Sequence, residues 1–173
     1  RNVISNVVNS GNVKSLKGYI GGIIGYNWAS AADASVTVSN ASNKGTVEGS
    51  GTYVGGIIGY NHAQGNNSTI TLENLGNTGN ITNVSTSGGY VGGIVGYNYA
   101  QGNGSEMSIT NSSNSGAVTG NGEYIGGIIG QINAKQSGTL VKVSNSENTG
   151  KVYGKNGYVG GIAGAAEGYS LTD

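Results

Sequence analysis

The sequence predicts an all-β fold: a right-handed parallel β-solenoid, or β-helix, built from five repeats of about 34 residues. The phrase "YVGGIIGYN" begins at Tyr53 and returns in related form at spacings of 34, 37, 34 and 34 residues. β-Branched residues and glycine dominate, and no helical period of about 3.6 residues persists. The repeat is too long for a hexapeptide left-handed helix and lacks the four strands of a propeller blade. The sequence leaves open whether each repeat makes one turn of the solenoid or two.

The first element of each repeat is a strand that resembles "VTVSN" from Val36. Val36 and Val38 share one face of this strand, an alternation typical of half-buried strands. An asparagine follows the strand in every repeat, at Asn6, Asn40, Asn74, Asn111 and Asn145. We expect these asparagines to face inward at a corner, with their amides hydrogen-bonded from turn to turn. Asn74→Leu should then destabilise the protein more than Asn67→Leu in a loop.

The second element is the phrase Asn-x-Gly-x-Val/Ile, which begins at Asn9, Asn43, Asn77, Asn114 and Asn148. The phrase precedes the repeat tyrosine by 10 residues, except in the third repeat, where the distance is 13. The additional residues lie in "TNVSTSGG", residues 82–89, and predict a longer loop. The repeats are therefore placed approximately at 2–35, 36–69, 70–106, 107–140 and 141–173.

The third element is the glycine-rich strand. Glycine in the middle of a strand costs stability unless the backbone must bend or approach another segment closely. We expect the Gly-Gly pair to turn a corner, and assign a structural role to Gly56, Gly93 and Gly127. The tyrosines that open the strand should stack as rings along the solenoid axis; they are Tyr19, Tyr53, Tyr90, Tyr124 and Tyr158. Which face of the glycine strand points inward remains open.

A polar segment, predicted as a loop, closes each repeat and carries the candidate ligand-binding residues. Two aligned positions hold Tyr26, Tyr60 and Tyr97, and Trp28, His62 and Tyr99. Aromatic rings with asparagine between them could stack on sugar faces while the amides bond to hydroxyl groups. The alternative is that the first set packs a solenoid corner and the second is a variable loop position.

Composition argues against several function classes. Charged residues make up 9% of the chain and the formal net charge is zero. The sequence therefore lacks the excess of positive charge that is typical of nucleic-acid-binding proteins. No apolar run approaches the roughly 18 residues of a membrane span. The chain has no cysteine, which excludes disulfides and thiol-based zinc sites.

The residues needed for catalysis are sparse, and we predict a non-enzymatic protein without cofactors, metal sites or catalytic residues. His62 is the single histidine, and no Gly-x-Ser-x-Gly elbow occurs. Paired carboxylates could support glycoside hydrolysis. The acids fall at different repeat positions, however, at Glu48, Glu73, Glu106, Glu123 and Glu147.

The short motif Gly-Ile-Ile-Gly resembles the GLUG repeat, whose signature is Gly-Leu-any-Gly after an aromatic residue, a valine and another glycine. The motif occurs five times, at residues 22–25, 56–59, 93–96, 127–130 and 161–164, with Ile in place of the preferred Leu. GLUG repeats occur in large bacterial surface and adhesin-like proteins and in IgA-specific metallopeptidases. The resemblance implies a solenoid region of a secreted or surface-attached bacterial protein. It does not imply peptidase activity, because the zinc motif His-Glu-x-x-His is absent.

Together these observations predict a structural or adhesive segment that contacts a host or matrix protein or a glycan outside a bacterial cell. The alternatives are a carbohydrate-binding module or an accessory region of a polysaccharide- or protein-degrading enzyme. Arg1 lies inside a repeat, so we expect a fragment of a longer protein, with end-to-end stacking on neighbouring repeats.

Overall fold

A computed structural model describes residues 1–86 and 88–168, and within them the chain is all-β, without helices. Parallel sheets stack into a β-solenoid of five turns, which confirms the predicted fold class. Val36 pairs with Ile70, and Ile70 pairs with Met107, so one repeat makes one turn. The right-handed coil stays a prediction. The end of the predicted fifth repeat, residues 169–173, lies outside the described residues.

Two sheets form the first half of each turn. The first sheet contains β1 (Asn2–Asn9), β5 (Ser35–Asn43), β9 (Thr69–Glu73), β10 (Gly76–Asn77), β14 (Glu106–Thr110), β15 (Ser113–Asn114), β19 (Leu140–Ser144) and β20 (Glu147–Asn148). The second sheet contains β2 (Val13–Ser15), β6 (Val47–Gly49), β11 (Ile81–Asn83), β16 (Val118–Gly120) and β21 (Val152–Gly154).

Two further sheets close the turn. The third sheet contains β3 (Tyr19–Gly21), β7 (Tyr53–Gly55), β12 (Tyr90–Gly92), β17 (Tyr124–Gly126) and β22 (Tyr158–Gly160). The fourth sheet contains β4 (Ile24–Ala29), β8 (Ile58–Ala63), β13 (Val95–Ala100), β18 (Ile129–Ala134) and β23 (Ala163–Glu167). The longer connection predicted in the third repeat lies between β11 and β12, and its Ser87 is outside the described residues.

The interior consists of two apolar clusters. The larger one includes Val38 and Leu72 from the first sheet and Ile58 from the fourth sheet. The smaller cluster includes Val47 from the second sheet and Val54 from the third. The inward face of the glycine strand is therefore the one that carries Val54 and its equivalents, while the tyrosines of this strand point outward.

A ladder of buried asparagines lines the inside of the turn between the first two sheets. In each repeat the Nδ2 group donates to the carbonyl oxygen two residues ahead, as Asn77 does to Gly79 at 2.8 Å. The same Nδ2 group donates to the Oδ1 atom of the next turn, from Asn77 to Asn114 at 2.7 Å. This ladder, the inner asparagine ladder, runs through all five turns and contains Asn9, Asn43, Asn77, Asn114 and Asn148.

The asparagines that were predicted to face inward are exposed instead, and that prediction is wrong. Their backbones adopt the left-handed conformation, with φ of 51° at Asn40, 54° at Asn74, 51° at Asn111 and 49° at Asn145. Asparagine tolerates this conformation better than other residues with a Cβ atom. The amides do bond from turn to turn, but on the outer surface, from Asn74 to Asn40 at 3.2 Å. The recurrence of asparagine at this position of every repeat therefore reflects a backbone requirement and not burial of a polar side chain.

The Gly-Gly pair turns a corner, as predicted. The chain bends between β7 and β8, and the second glycine of the pair, Gly56, packs against the inner asparagine ladder. A Cβ atom at Gly56 would lie 2.7 Å from Cγ of Asn77 and would overlap the carbonyl oxygen of Gly93. Gly93 and Gly127 occupy equivalent positions beside Asn114 and Asn148. The corner therefore excludes a side chain because backbone and amide already fill the space.

Candidate functional site

The six candidate ligand-binding residues lie in strands of the fourth sheet, so the prediction that they form a loop is wrong. Tyr26 and Trp28 are in β4, Tyr60 and His62 in β8, and Tyr97 and Tyr99 in β13. These strands pair in register, with Tyr26 opposite Tyr60 and Trp28 opposite His62. The residues between them point inward, which explains why asparagine and alanine alternate with the rings.

Three columns of side chains run along this surface, and together we call them the aromatic strip. The first column is formed by Tyr19, Tyr53, Tyr90, Tyr124 and Tyr158. The second contains Tyr26, Tyr60 and Tyr97 and continues with Gln131 and Ala165. The third contains Trp28, His62 and Tyr99 and continues with Asn133 and Glu167.

The rings of the first column stack along the solenoid, as the sequence predicts. The distances between neighbouring ring centroids are 5.3 Å for Tyr19–Tyr53 and 5.0 Å for Tyr53–Tyr90. They are 5.1 Å for Tyr90–Tyr124 and 5.3 Å for Tyr124–Tyr158. Offset stacks of this kind stabilise by about 0.5 to 1.5 kcal/mol per pair beyond the area they bury.

The second column packs against the first, which leaves little room for a sugar on its central rings. The Tyr60 centroid is 4.8 Å from Tyr53 and 5.1 Å from Tyr26. As a result Tyr60, Tyr97 and His62 each expose only 8% of their surface. A sugar that stacks on an aromatic face needs an open face, and these three side chains do not offer one.

The accessible part of the predicted site is at the first turn. Tyr26 exposes 38% and Trp28 49% of its surface, while Tyr99 is half-buried. The indole Nε1 group of Trp28 donates to Oε1 of Gln64 at 2.9 Å. Among the six candidate residues, this exposed pair of rings beside an amide is the portion that can contact a partner directly.

His62, in the second turn, links the first and third turns through hydrogen bonds on both ring nitrogens. Nε2 is 2.8 Å from Oε1 of Gln101, which accepts hydrogen bonds, so Nε2 carries the proton. The hydroxyl group of Tyr26 then donates to Nδ1, at 3.1 Å. Burial lowers the pKa of His62 below its ordinary value, an effect that the hydrogen bond with Gln101 opposes. The imidazole is therefore neutral at pH 7.

Towards the fifth turn the second and third columns of the strip carry no aromatic rings and become more polar. The amides of Gln131 and Asn133 donate to the two carboxylate oxygens of Glu167, at 2.9 and 3.2 Å. The ammonium group of Lys135 lies 6.0 Å from the centroid of the Tyr99 ring. At this end of the strip the charged groups of Glu167 and Lys135 contact neighbouring side chains. It therefore presents amides and charges, whereas the first turn presents aromatic rings.

The fourth sheet has an internal asparagine ladder of its own, directly beneath the strip. Nδ2 of Asn27 donates to Asn61 at 2.7 Å, and Nδ2 of Asn61 donates to Asn98 at 3.0 Å. In the next turn the position is held by Ile132, so the buried Nδ2 group of Asn98 has no hydrogen-bond partner. The ladder holds the strands that carry the aromatic rings in register.

No family model, curated protein or solved structure matches this chain. The resemblance to GLUG repeats therefore stays a hypothesis that rests on the five Gly-Ile-Ile-Gly-like motifs.

Four of the five glutamates considered for paired-carboxylate chemistry lie in two different sheets. Glu48 lies in the second sheet, whereas Glu73, Glu106 and Glu147 lie in the first. Glu73 and Glu106 occupy different columns, because Glu106 pairs with Thr69. Residues 1–86 and 88–168 contain no group of three or more side chains suited to hold a metal ion. They also contain no long apolar helix able to cross a membrane.

A second surface feature is a shallow polar cleft of about 530 Å³ on the first sheet. It is lined by Asn111, Ser112, Ser113, Asn145, Ser146 and Glu147. The exposed asparagines at its rim are those with left-handed backbones. The cleft lies on the sheet opposite the aromatic strip and has no aromatic lining.

The buried phenols of the strip predict a sensitivity to alkaline pH. Burial, together with the neighbouring tyrosines, raises the pKa values of Tyr60 and Tyr97 well above 10.0. An unfolded tyrosine loses its proton near pH 10, whereas the folded protein retains it, so stability falls as pH rises above 10. We expect a decrease of up to about 1.4 kcal/mol per pH unit for each such group.

Urea unfolding between pH 8 and pH 11, with absorbance at 295 nm to follow phenolate formation, checks this expectation. Tyr60→Phe should reduce the alkaline loss of stability, and Tyr153→Phe, on the exposed side of the second sheet, should not. A single titration of all phenols near pH 10 in the folded protein would contradict the prediction.

Proposed function

We propose that this chain is a non-catalytic structural and adhesive segment of a secreted or surface-attached bacterial protein. The observation that carries the proposal is the continuous stack of parallel strands, joined from turn to turn by side-chain ladders as well as by backbone hydrogen bonds. At a strand spacing of about 4.8 Å, five turns extend roughly 20 Å along the axis. Such a segment supplies length and stiffness.

The adhesive part of the proposal rests on the first turn of the aromatic strip. Tyrosine and tryptophan are enriched in the central contacts of protein interfaces, where a few residues provide most of the binding free energy. Trp28 and Tyr26 are exposed side by side on a strand, which holds them in fixed positions. We propose a host or matrix protein as the partner of this surface.

A carbohydrate-binding module is the second candidate, and one observation favours it. The exposed indole of Trp28 lies beside the amide of Gln64, a combination that can stack on a sugar and bond to its hydroxyl groups. Tyr60, His62 and Tyr97 are covered by their neighbours, so a sugar site on the second and third columns would be confined to the first turn and would accommodate one or two residues of a glycan.

One binding experiment tests the proposal and separates the two candidates. The purified chain is screened against immobilised fibronectin, collagen and laminin and against a glycan array, beside a Trp28→Ala/Tyr26→Ala variant and a Tyr153→Ala control. We expect binding to a matrix protein that weakens about tenfold or more in the double variant and not in the control. Binding confined to glycans would favour the second candidate. Binding that the double variant retains would overturn the assignment of this surface.

A further inference from the structure

The hydrogen bond between Tyr26 and His62 gives this phenol a property that the other rings of the strip lack. Its proton already points at a neutral nitrogen base, Nδ1 of His62, at 3.1 Å. His62 is the single histidine of the chain, so no other tyrosine can have such a partner. The bond from Nε2 to Gln101, at 2.8 Å, fixes the tautomer that leaves Nδ1 free to accept.

We propose that Tyr26 is the site at which outer-sphere one-electron oxidants act on this protein, with His62 as the base that takes the phenolic proton. In this step the oxidant gains one electron from the Tyr26 ring. The O–H bond of Tyr26 breaks, an N–H bond forms at Nδ1 of His62, and the products are a neutral phenoxyl radical and an imidazolium. A base within hydrogen-bond reach accelerates such a proton transfer because the proton moves over a short, fixed path.

The surroundings of Tyr26 fit this role. The ring is exposed enough for contact with an oxidant in solution, and it stacks on Tyr19 at 5.0 Å and on Tyr60 at 5.1 Å. Neighbouring phenols in van der Waals contact can pass an electron to the oxidised ring. Tyr60 exposes only 8% of its surface, so its oxidation would release a proton into a poorly solvated space. Tyr19 is exposed, but among the described residues no base accepts a hydrogen bond from it, so it lacks the short path for the proton that His62 gives Tyr26. The radical is therefore expected to settle on Tyr26, whichever of these rings is oxidised first.

The fate of the radical defines the class of modification. A second molecule of oxidant takes one electron from the external phenol, which releases its proton to water and becomes a phenoxyl radical. The two radicals join by a C–C bond between ring carbons ortho to the oxygens. In each ring the ortho carbon then releases its proton and the oxygen takes one up, which restores the aromatic phenol. The exposed edge of Tyr26 makes it accessible to a phenol of another molecule. The modification that we infer is an oxidative cross-link from Tyr26 to an external phenol.

The test uses hexachloroiridate(IV) as oxidant and follows its bleaching by stopped flow at pH 7.5. Trp28→Phe serves as the background, so that the neighbouring indole does not contribute. We expect Tyr26→Phe and His62→Phe each to slow the reaction about tenfold or more, and the double variant to be no slower than either. Tyr153→Phe, which removes an exposed phenol outside the strip, should leave the rate nearly unchanged.

Two further measurements need no substitution at Tyr26 or His62. The reaction of the Trp28→Phe protein should be slower in D2O than in H2O, because the proton moves together with the electron. With oxidant below one equivalent and N-acetyltyrosinamide as the external phenol, peptide mapping should place the first adduct on Tyr26. An absent isotope effect, or adducts that follow exposure and favour Tyr158 and Tyr153, would overturn the proposal.

Discussion

Gly56→Ala is expected to destabilise the protein by about 3 to 5 kcal/mol. The added methyl group would meet the carbonyl oxygen of Gly93 and Cγ of Asn77, both of which are fixed by the stack. Neither neighbour can yield without loss of strand pairing or of the amide ladder. The overlap alone accounts for about 1 to 3 kcal/mol, and displacement of Asn77 from its hydrogen bonds adds a similar amount.

The chain supplies a matched control at the same position of the last repeat. A Cβ atom at Gly161 would have no neighbour within 4 Å, because Gly161 lies in the last turn that the structure describes. Gly161→Ala should therefore change the free energy of unfolding by no more than about 0.5 kcal/mol. Urea unfolding of both variants measures the difference. If the two substitutions cost the same, the glycine requirement would come from backbone conformation and not from close packing.

The length and number of the turns could be predicted from the sequence because stacking imposes one residue pattern on every turn. The spacing of the repeat tyrosines gives the register directly, and the alternation in "VTVSN" identifies the inward face of the first strand. The corner at the Gly-Gly pair was also predictable, since five repeats retain glycine where it would otherwise be unfavourable.

The roles of the two main asparagine positions could not be separated in this way. Asn40 and Asn43 are both invariant among the five repeats, and spacing alone does not show which one is buried. The left-handed backbone of Asn40 is a local property that becomes visible only in three dimensions. The glycine two residues after Asn43 was the available signal, because a short turn there offers a carbonyl oxygen to the asparagine amide.

The aromatic residues were placed in a loop because polar residues follow the glycine strand. The alternation of Tyr60 and His62 with Gly59, Asn61 and Ala63 is not a simple apolar pattern, since large rings lie outside and an amide lies inside. Here side-chain stacking between turns stabilises the outer face of the strand, and hydrogen bonds between asparagines satisfy the inner face. Neither effect is visible in the hydropathy of a single repeat.

Asn77→Leu is expected to destabilise the protein by about 3 to 5 kcal/mol, although the two side chains are similar in size. Asn77 is buried and donates to Gly79 and Asn114, and it accepts a hydrogen bond from Asn43 at 2.8 Å. Leucine leaves one donor and two acceptors without partners inside the solenoid. Each buried group that loses its partner costs about 1 to 3 kcal/mol.

The same substitution three residues earlier provides the contrast. Asn74 is exposed, so Asn74→Leu should cost only about 1 to 2 kcal/mol, from leucine in the left-handed conformation. Asn67 is also exposed and has φ of 53°. Asn67→Leu should therefore cost about as much as Asn74→Leu, whereas an inward Asn74 would have made Asn74→Leu the more costly of the two. Urea unfolding of the three variants gives the order. A larger loss at Asn74 than at Asn77 would mean that the outer amides hold the turns together, and the inner asparagine ladder would then be secondary to them.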